Sequence, residues 1–151
     1  MRRKIGMEAP NSLKIAARNK RNYLEAKAAF NARDLEACIQ HYSPDHQIKS
    51  RKCERGRHEI QRFLESLHES WADLQVIVEH AVAEDNWVMG RSRSVATHSK
   101  TVLGVQPTNK VVEATFWDLH RFDDNGLIIE TWNLMDNLAI VQQLGLMDGG
   151  T

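Results

Sequence analysis

A long β-hairpin near the end of the chain constrains the fold more than any other feature of the sequence. Residues 111–122 and 127–135 read as two long strands. Between them, Asp123-Asp124-Asn125-Gly126 predicts a tight turn, because Asn and Gly accept the positive φ angles that hairpins require. A hairpin fixes which side chains share a face, so it also decides which of them can form a site.

Pairing the two strands around this turn places Phe122 opposite Leu127 and Asp118 opposite Thr131. One face then carries polar groups among apolar neighbours, as a small-molecule site does. It comprises Val112, Ala114, Phe116, Asp118, His120, Ile129, Thr131, Asn133 and Met135. We predict that this face is concave and lies under the helices. A slip of one residue would exchange the two faces.

The opposite face of the hairpin combines charged side chains with two tryptophans and two leucines. That composition suits a partner subunit better than bulk water. We therefore predict a homodimer that forms through the outer sheet face, with Trp117, Leu119, Trp132 and Leu134 at the interface.

The rest of the chain predicts helices first and strands afterwards. Helices are expected over 12–30, from Asp34 to Tyr42 and over 57–70, with Ser43-Pro44-Asp45 ending the second. A short strand is expected over 46–50, and period-two stretches predict strands over 74–82 and 86–99. Asp136 is expected to cap a final short helix that ends before Gly145. The predicted fold class is α+β, with three N-terminal helices packed on a curved antiparallel sheet. Residues 12–145 form one domain between tails at 1–11 and 146–151.

Composition excludes several classes of function. Twenty basic and twenty acidic residues balance, which argues against a general binder of nucleic acid or of membrane surfaces. No stretch has the length of a membrane span or the pattern of a signal peptide, and two isolated cysteines suit a reducing compartment, so we expect a cytoplasmic protein. The histidines outside the hairpin show no metal-ligand spacing, and no metal site is expected.

Eight short strings, in order from Tyr23 to Gly145, resemble the SnoaL-like polyketide cyclase family within the wider NTF2-like fold. They are residues 30–35, 41–45, 56–64, 72–74, 96–99, 103–108, 132–136 and 142–145. The resemblance implies a cone-shaped fold with a pocket between sheet and helices, and commonly a homodimer. It also implies ring closure in a polyketide by an intramolecular aldol step, without metal or organic cofactor. Other relatives on this fold are isomerases, hydrolases, dehydratases and non-catalytic binders, so the fold does not fix the function.

Asp118 is the first candidate for a catalytic residue. Phe116, Phe122 and Ile129 surround it in the predicted pairing, so its pKa should be raised, and it could move a proton at a carbon next to a carbonyl. A buried aspartate that accepts structural hydrogen bonds is an equal alternative. Histidine as a residue type suits acid–base catalysis near neutral pH, but His120 lies closer to the turn, at the predicted rim of the pocket, which favours a structural or surface role.

Asn133 marks a departure from the family pattern. The resemblance implies an acid directly after the tryptophan of the last strand, with a histidine on the neighbouring strand; here Asn133 follows Trp132 and Asp118 takes the neighbouring position. An amide can donate a hydrogen bond to a developing enolate but cannot carry its proton. Either the acid has moved to Asp118, or the cyclase chemistry has been lost.

The remaining candidates are ligand contacts rather than catalysts. They are His98, Phe116, Thr131, Met135, Trp71, Tyr23 and Phe63. Together these residues predict a cofactor-independent cyclase or isomerase that acts on a hydrophobic carbonyl compound. A non-catalytic small-molecule binder is the alternative, as is a hydrolase or dehydratase in which Asp118 activates water. A salt bridge that neutralises Asp118 would favour the binder.

Overall fold

The computed structural model of the protein describes residues 9–147 as four helices and five strands. In chain order these are α1 (Asn11–Asn31), α2 (Leu35–Ile39), β1 (Tyr42–Ile48), α3 (Arg57–Ser70), β2 (Gln75–Glu84), β3 (Trp87–Thr97), β4 (Val111–Phe122), β5 (Ile128–Met135) and α4 (Asn137–Gln143). The outer parts of both predicted tails, residues 1–8 and 148–151, lie outside the described residues. Within 9–147, no helix is both long and apolar enough to cross a membrane.

The five strands form one curved, open sheet in the order β1-β5-β4-β3-β2. Strands β2 to β5 pair with antiparallel neighbours, but β1 pairs parallel to β5. The sheet is therefore mixed, whereas the sequence analysis predicted an antiparallel sheet. Alternation within one strand reveals its buried face and not the direction of a partner distant in sequence. The predicted α+β class is confirmed.

The N-terminal boundary of β1 differs most from the prediction. Helix α2 ends at Ile39, and β1 already begins at Tyr42 and runs through Pro44. Because β1 is an edge strand, the N–H that proline lacks does not have to bond to a neighbour within the sheet. The proline therefore lies inside a strand instead of ending a helix.

A β-bulge changes the predicted pairing of β4 with β5. Phe122 pairs with Ile128, whereas Arg121 pairs with Glu130, which leaves Ile129 as an extra residue. The turn moves the pairing by one residue, since Phe122 was predicted opposite Leu127, and the bulge moves it by one more. Asp118 therefore lies opposite Asn133 and His120 opposite Thr131, each two residues further along than predicted. Because the shift is two residues, the side chains from Glu130 to Met135 stay on the faces that were predicted for them. Before the bulge the prediction is wrong: Ile128, and not Ile129, is buried in the core.

The core lies between the concave face of the sheet and helices α1 to α3. Its fully buried apolar side chains include Tyr23, Ile48, Ile60, Val88, Phe122 and Ile128. Asn31, at the end of α1, ties the helix to the sheet because its amide donates to the carbonyl of Val76 and accepts from its N–H, both at 2.8 Å. This pair of bonds anchors the C-terminal end of α1 to β2, and Tyr23 and Lys27 of the same helix reach Asp118 on β4.

Candidate active site

A largely apolar cavity of about 510 Å³ opens between the sheet and the helices. The side chains of Phe63, Trp71, Phe116 and Met135, all ligand-contact candidates from the sequence, line the apolar wall of this cavity. Polar groups enter the same space from three elements: Lys27 from α1, Asp118 and His120 from β4, and Thr131 and Asn133 from β5. The volume falls in the range of pockets that hold small organic ligands.

Asp118 lies at the centre of these polar groups and is almost completely buried. Its Oδ1 accepts a hydrogen bond from the Tyr23 hydroxyl at 2.7 Å. Its Oδ2 accepts from the Lys27 ammonium at 2.5 Å and lies 3.1 Å from His120 Nε2. The side chain of Lys27 is 18% exposed and that of Asp118 1%, so this ion pair is shielded from water.

The pKa of Asp118 shifts in the direction opposite to our prediction. Burial alone would raise the pKa, but the Lys27 ammonium, with the hydrogen bond from His120, holds it well below its usual range. The prediction considered only the apolar neighbours of Asp118 and not a cation from α1. Asp118 is consequently a carboxylate at neutral pH.

Tyr23 lies behind the carboxylate and does not line the cavity as the predicted apolar wall. Burial and the neighbouring Asp118 raise the pKa of its phenol, so it stays protonated and donates to Asp118. Gly90, opposite Asp118 on β3, makes room for it. A Cβ at position 90 would lie 1.9 Å from the Tyr23 hydroxyl oxygen, so no other residue fits without a shift.

His120 is part of a hydrogen-bonded chain rather than a residue at the rim. Its Nδ1 lies 2.8 Å from Thr131 Oγ1, which lies 2.7 Å from Nε2 of His46. This chain exists because β5 lies between β1 and β4, so Thr131 has a histidine on either side. Burial and His120 lower the pKa of His46 to about 3, and His46 is therefore neutral at neutral pH.

Asn133 has a free donor next to Asp118. Its Oδ1 accepts from the Ser50 hydroxyl at 2.9 Å, and both residues line the cavity. Within residues 9–147 no acceptor is bonded to its Nδ2, so the amide N–H groups are available to a ligand oxygen.

His98 is buried but does not line the cavity. Its Nδ1 accepts from the backbone N–H of Thr108 at 3.2 Å, and its ring packs against Trp71 at 5.9 Å between centroids. It holds the loop after β3 against the wall of the cavity. Asp136 caps α4, as predicted, because its carboxylate accepts from the N–H of Ala139 at 3.1 Å.

Sequence reasoning missed Lys27 and His46. Lys27 follows Tyr23 by one helical turn, so a lysine on the buried face of α1 was a signal that could have been used. His46 lies where the β1–β5 pairing is irregular, between Tyr42 and Gln47, and no pattern in the sequence marks this irregularity.

One group with metal-ligand geometry occurs among the described residues, namely Glu54, His58 and Glu59 near the start of α3. It is mainly exposed and does not line the cavity. The cavity itself presents an ammonium, a carboxylate and an amide at the end of an apolar space. Such an arrangement can bind a carbonyl oxygen and move a proton beside it.

Comparison with known proteins agrees with this architecture. The family model of the SnoaL-like polyketide cyclases matches residues 20–144. AclR from Streptomyces galilaeus, a proposed hydroxylase, is 30% identical with a TM-score of 0.79, over 90% of this chain and 86% of its own. IdmH from Streptomyces antibioticus, a proposed polyketide cyclase, is 26% identical with a TM-score of 0.76, over 84% of this chain and 98% of its own. No curated protein sequence matched. The match to the family model over most of the chain shows that the protein belongs to the SnoaL-like polyketide cyclase family.

Proposed function

We propose that the protein is a cofactor-independent cyclase or isomerase that moves a proton on a hydrophobic, polyketide-like carbonyl compound. The observation that carries this proposal is a buried carboxylate, Asp118, at the polar end of an apolar cavity. Beside it lie the ammonium of Lys27 and the amide N–H groups of Asn133, which are unbonded within residues 9–147. Asp118 is the proton acceptor, and Lys27 and Asn133 bind the oxygen that becomes negatively charged. Membership of the cyclase family supports the reaction class.

The low pKa of Asp118 does not prevent this role. Proton transfer from the substrate neutralises the carboxylate and creates an enolate of the same charge beside it. The ammonium of Lys27 therefore faces one negative charge before the step and one after it. Lys27 opposes proton uptake by Asp118 in the empty cavity much more than it opposes transfer from a bound substrate.

The apolar wall would hold the carbon skeleton of the substrate. Phe63, Trp71 and Phe116 offer aromatic faces, and Met135 adapts to irregular shapes. Excluding water from this space strengthens the electrostatic interactions at its polar end and protects a reactive enolate.

A turnover assay with aromatic polyketide intermediates, read by mass spectrometry, tests the proposal. Ring closure or isomerisation leaves the mass unchanged or, after dehydration, lowers it by one water. We expect Asp118→Asn to lower the rate at least about a hundredfold, as loss of a general base does. Asp123→Asn, in the turn, is the matched control. Unchanged turnover in Asp118→Asn would exclude Asp118 as the base, and a gain of one oxygen would point to the hydroxylase activity proposed for AclR.

A non-catalytic binder is the second candidate, and the ion pair itself favours it. A carboxylate already neutralised by Lys27 is the arrangement expected where Asp118 only shapes a binding site. Tight binding of a polyketide with no turnover by the unaltered protein would support this candidate.

We also propose that the outer face of the sheet forms a homodimer. Trp117 is 46% and Leu134 72% exposed on this face, and the rings of Trp87 and Trp132 pack at 5.8 Å. Sedimentation equilibrium should show a dimer that Trp117→Arg dissociates. Leu138→Arg places the same charged side chain at an exposed apolar position on α4 and should leave the dimer intact. A monomeric unaltered protein at micromolar concentration would contradict the proposal.

A further inference from the structure

Four buried side chains on three adjacent strands form a continuous hydrogen-bonded chain that ends at the ion pair. From β1 towards β4 they are His46, Thr131, His120 and Asp118, with neighbouring polar atoms between 2.7 and 3.1 Å apart. All four are at most 2% exposed. Their hydrogen atoms must therefore be shared within the protein, and a hydroxyl with a single hydrogen links the two imidazoles.

With Asp118 ionised and His46 neutral, two arrangements of hydrogens give every bond of the chain one donor and one acceptor. In the first, His120 is neutral: Nε2–H donates to Asp118, and Nδ1 accepts from the Thr131 hydroxyl. Thr131 then accepts from Nε2–H of His46. In the second, His120 is protonated on both nitrogens, and Thr131 must donate to His46 instead.

The two arrangements differ at the far end of the chain. Nδ1 of His46 is buried and has no hydrogen-bond partner among the described residues. In the first arrangement Nδ1 of His46 carries an unpaired acceptor lone pair, whereas in the second it carries an N–H donor without an acceptor among these residues. A buried donor without a partner is the less tolerated defect.

Charge balance favours the same arrangement. The charged and titratable side chains that contact His120 or the groups bonded to it come from three elements: Tyr23 and Lys27 on α1, Tyr42 and His46 on β1, and Asp118 on β4. Tyr23 and Asp118 contact His120 itself, His46 is linked to it through Thr131, Lys27 is bonded to Asp118, and Tyr42 packs against His46. Among them Lys27 already supplies one positive charge for the single carboxylate. A second buried cation at His120 would have no counter-ion.

We infer that Thr131 and His46 are positioning residues that hold His120 as the neutral Nε2–H tautomer. His120 is then a permanent hydrogen-bond donor to Asp118 and not a base. Thr131, expected from the sequence to contact the ligand, acts through His120. The inference deepens the proposed function, since it leaves Asp118 as the proton acceptor of the chain.

Nitrogen NMR of the histidine rings tests this without a substrate, with His120→Gln and His46→Gln used for assignment. At neutral pH we expect unaltered protein to show both rings protonated on Nε2 alone. Thr131→Val removes the shared hydroxyl at constant shape, and His120 should then populate more than one form. Thr131→Ser should restore the single form, and Thr115→Val, elsewhere in the sheet, should not change it.

Two results would overturn the inference: a His120 ring protonated on Nδ1 in the unaltered protein, or identical spectra for Thr131→Val and Thr131→Ser. The unaltered protein alone decides the first, even if Thr131→Val does not fold. Neither result depends on turnover, so failure here is distinguishable from failure of the proposed function, which the Asp118→Asn assay decides.

Discussion

Replacing Lys27 with methionine should convert a stabilising ion pair into a buried, uncompensated charge. Methionine keeps most of the length of the side chain but removes the ammonium 2.5 Å from Asp118 Oδ2. Breaking one partner of a buried pair costs about 3–5 kcal/mol. Asp118 keeps its hydrogen bonds from Tyr23 and His120, so we expect the lower end, about 3 kcal/mol. For a domain of this size that lowers Tm by roughly 6–12 °C.

The pH dependence makes this prediction specific. In the unaltered protein the lowered pKa of Asp118 adds stability above the ordinary carboxyl pKa of about 3.9, and that stability is lost as the pH falls through the lowered value. Without Lys27, burial raises the pKa of Asp118, so the ionised form becomes a cost at neutral pH. Protonation relieves this cost, and the difference in unfolding free energy between variant and unaltered protein should shrink as the pH falls towards about 4.

Urea unfolding between about pH 4 and pH 8, at fixed protein concentration, measures this difference. Lys20→Met, on the exposed face of the same helix, should cost little at any pH. The double variant Lys27→Met/Asp118→Asn should be more stable than Lys27→Met at neutral pH, because it no longer buries a charge. The reasoning would be refuted if Lys27→Met lost the same unfolding free energy at every pH, or if the double variant were no more stable than Lys27→Met at neutral pH.

Three further predictions concern the supports of the site and of the fold. Gly90→Ala should displace the hydroxyl of Tyr23 and lower turnover and Tm together; an unchanged Tm would contradict the close approach. Asp136→Ala should cost about 1 kcal/mol in urea unfolding, since it removes the N-cap of α4, and Asp136→Asn should restore most of it. Asn31→Ala should lower the free energy of unfolding by about 2 kcal/mol, because the N–H and C=O of Val76 both lose their bond to the Asn31 amide. Native-state hydrogen exchange at the Val76 amide should accelerate, and unchanged protection there would show that Asn31 does not tie α1 to β2.

The elements that the sequence predicted well are those with a strong local signal. Helix α3 begins at Arg57 and ends at Ser70, and β4 runs from Val111 to Phe122, as expected from their periodicity. The parallel partner of β1 depends on contacts between distant segments, and the bulge at Ile129 depends on how the two hairpin strands pair. Local periodicity carries no information about either.

In the candidate site, too, the features with a local signal in the sequence were predicted and those set by distant residues were not. The hairpin brings Asp118, His120, Thr131 and Asn133 to one face, because alternation along two paired strands fixes faces even when the register moves by two. The charge state of Asp118 could not be predicted, since it depends on Lys27 from a helix more than eighty residues earlier. A pKa is set by the nearest charges in space, whatever their separation in sequence.

The close approach at Gly90 also limits how this site can diversify. A side chain at position 90 would meet both the oxygen and the ring carbon of the Tyr23 hydroxyl, at 1.9 and 2.7 Å. Neither position can therefore change freely while the other is kept. Among relatives, the two positions should be substituted together, and a chain that gains a side chain at 90 should carry a smaller residue than tyrosine at 23. Such a chain would lack the hydrogen bond that Tyr23 donates to Oδ1 of Asp118, so the glycine marks which relatives share this arrangement of donors.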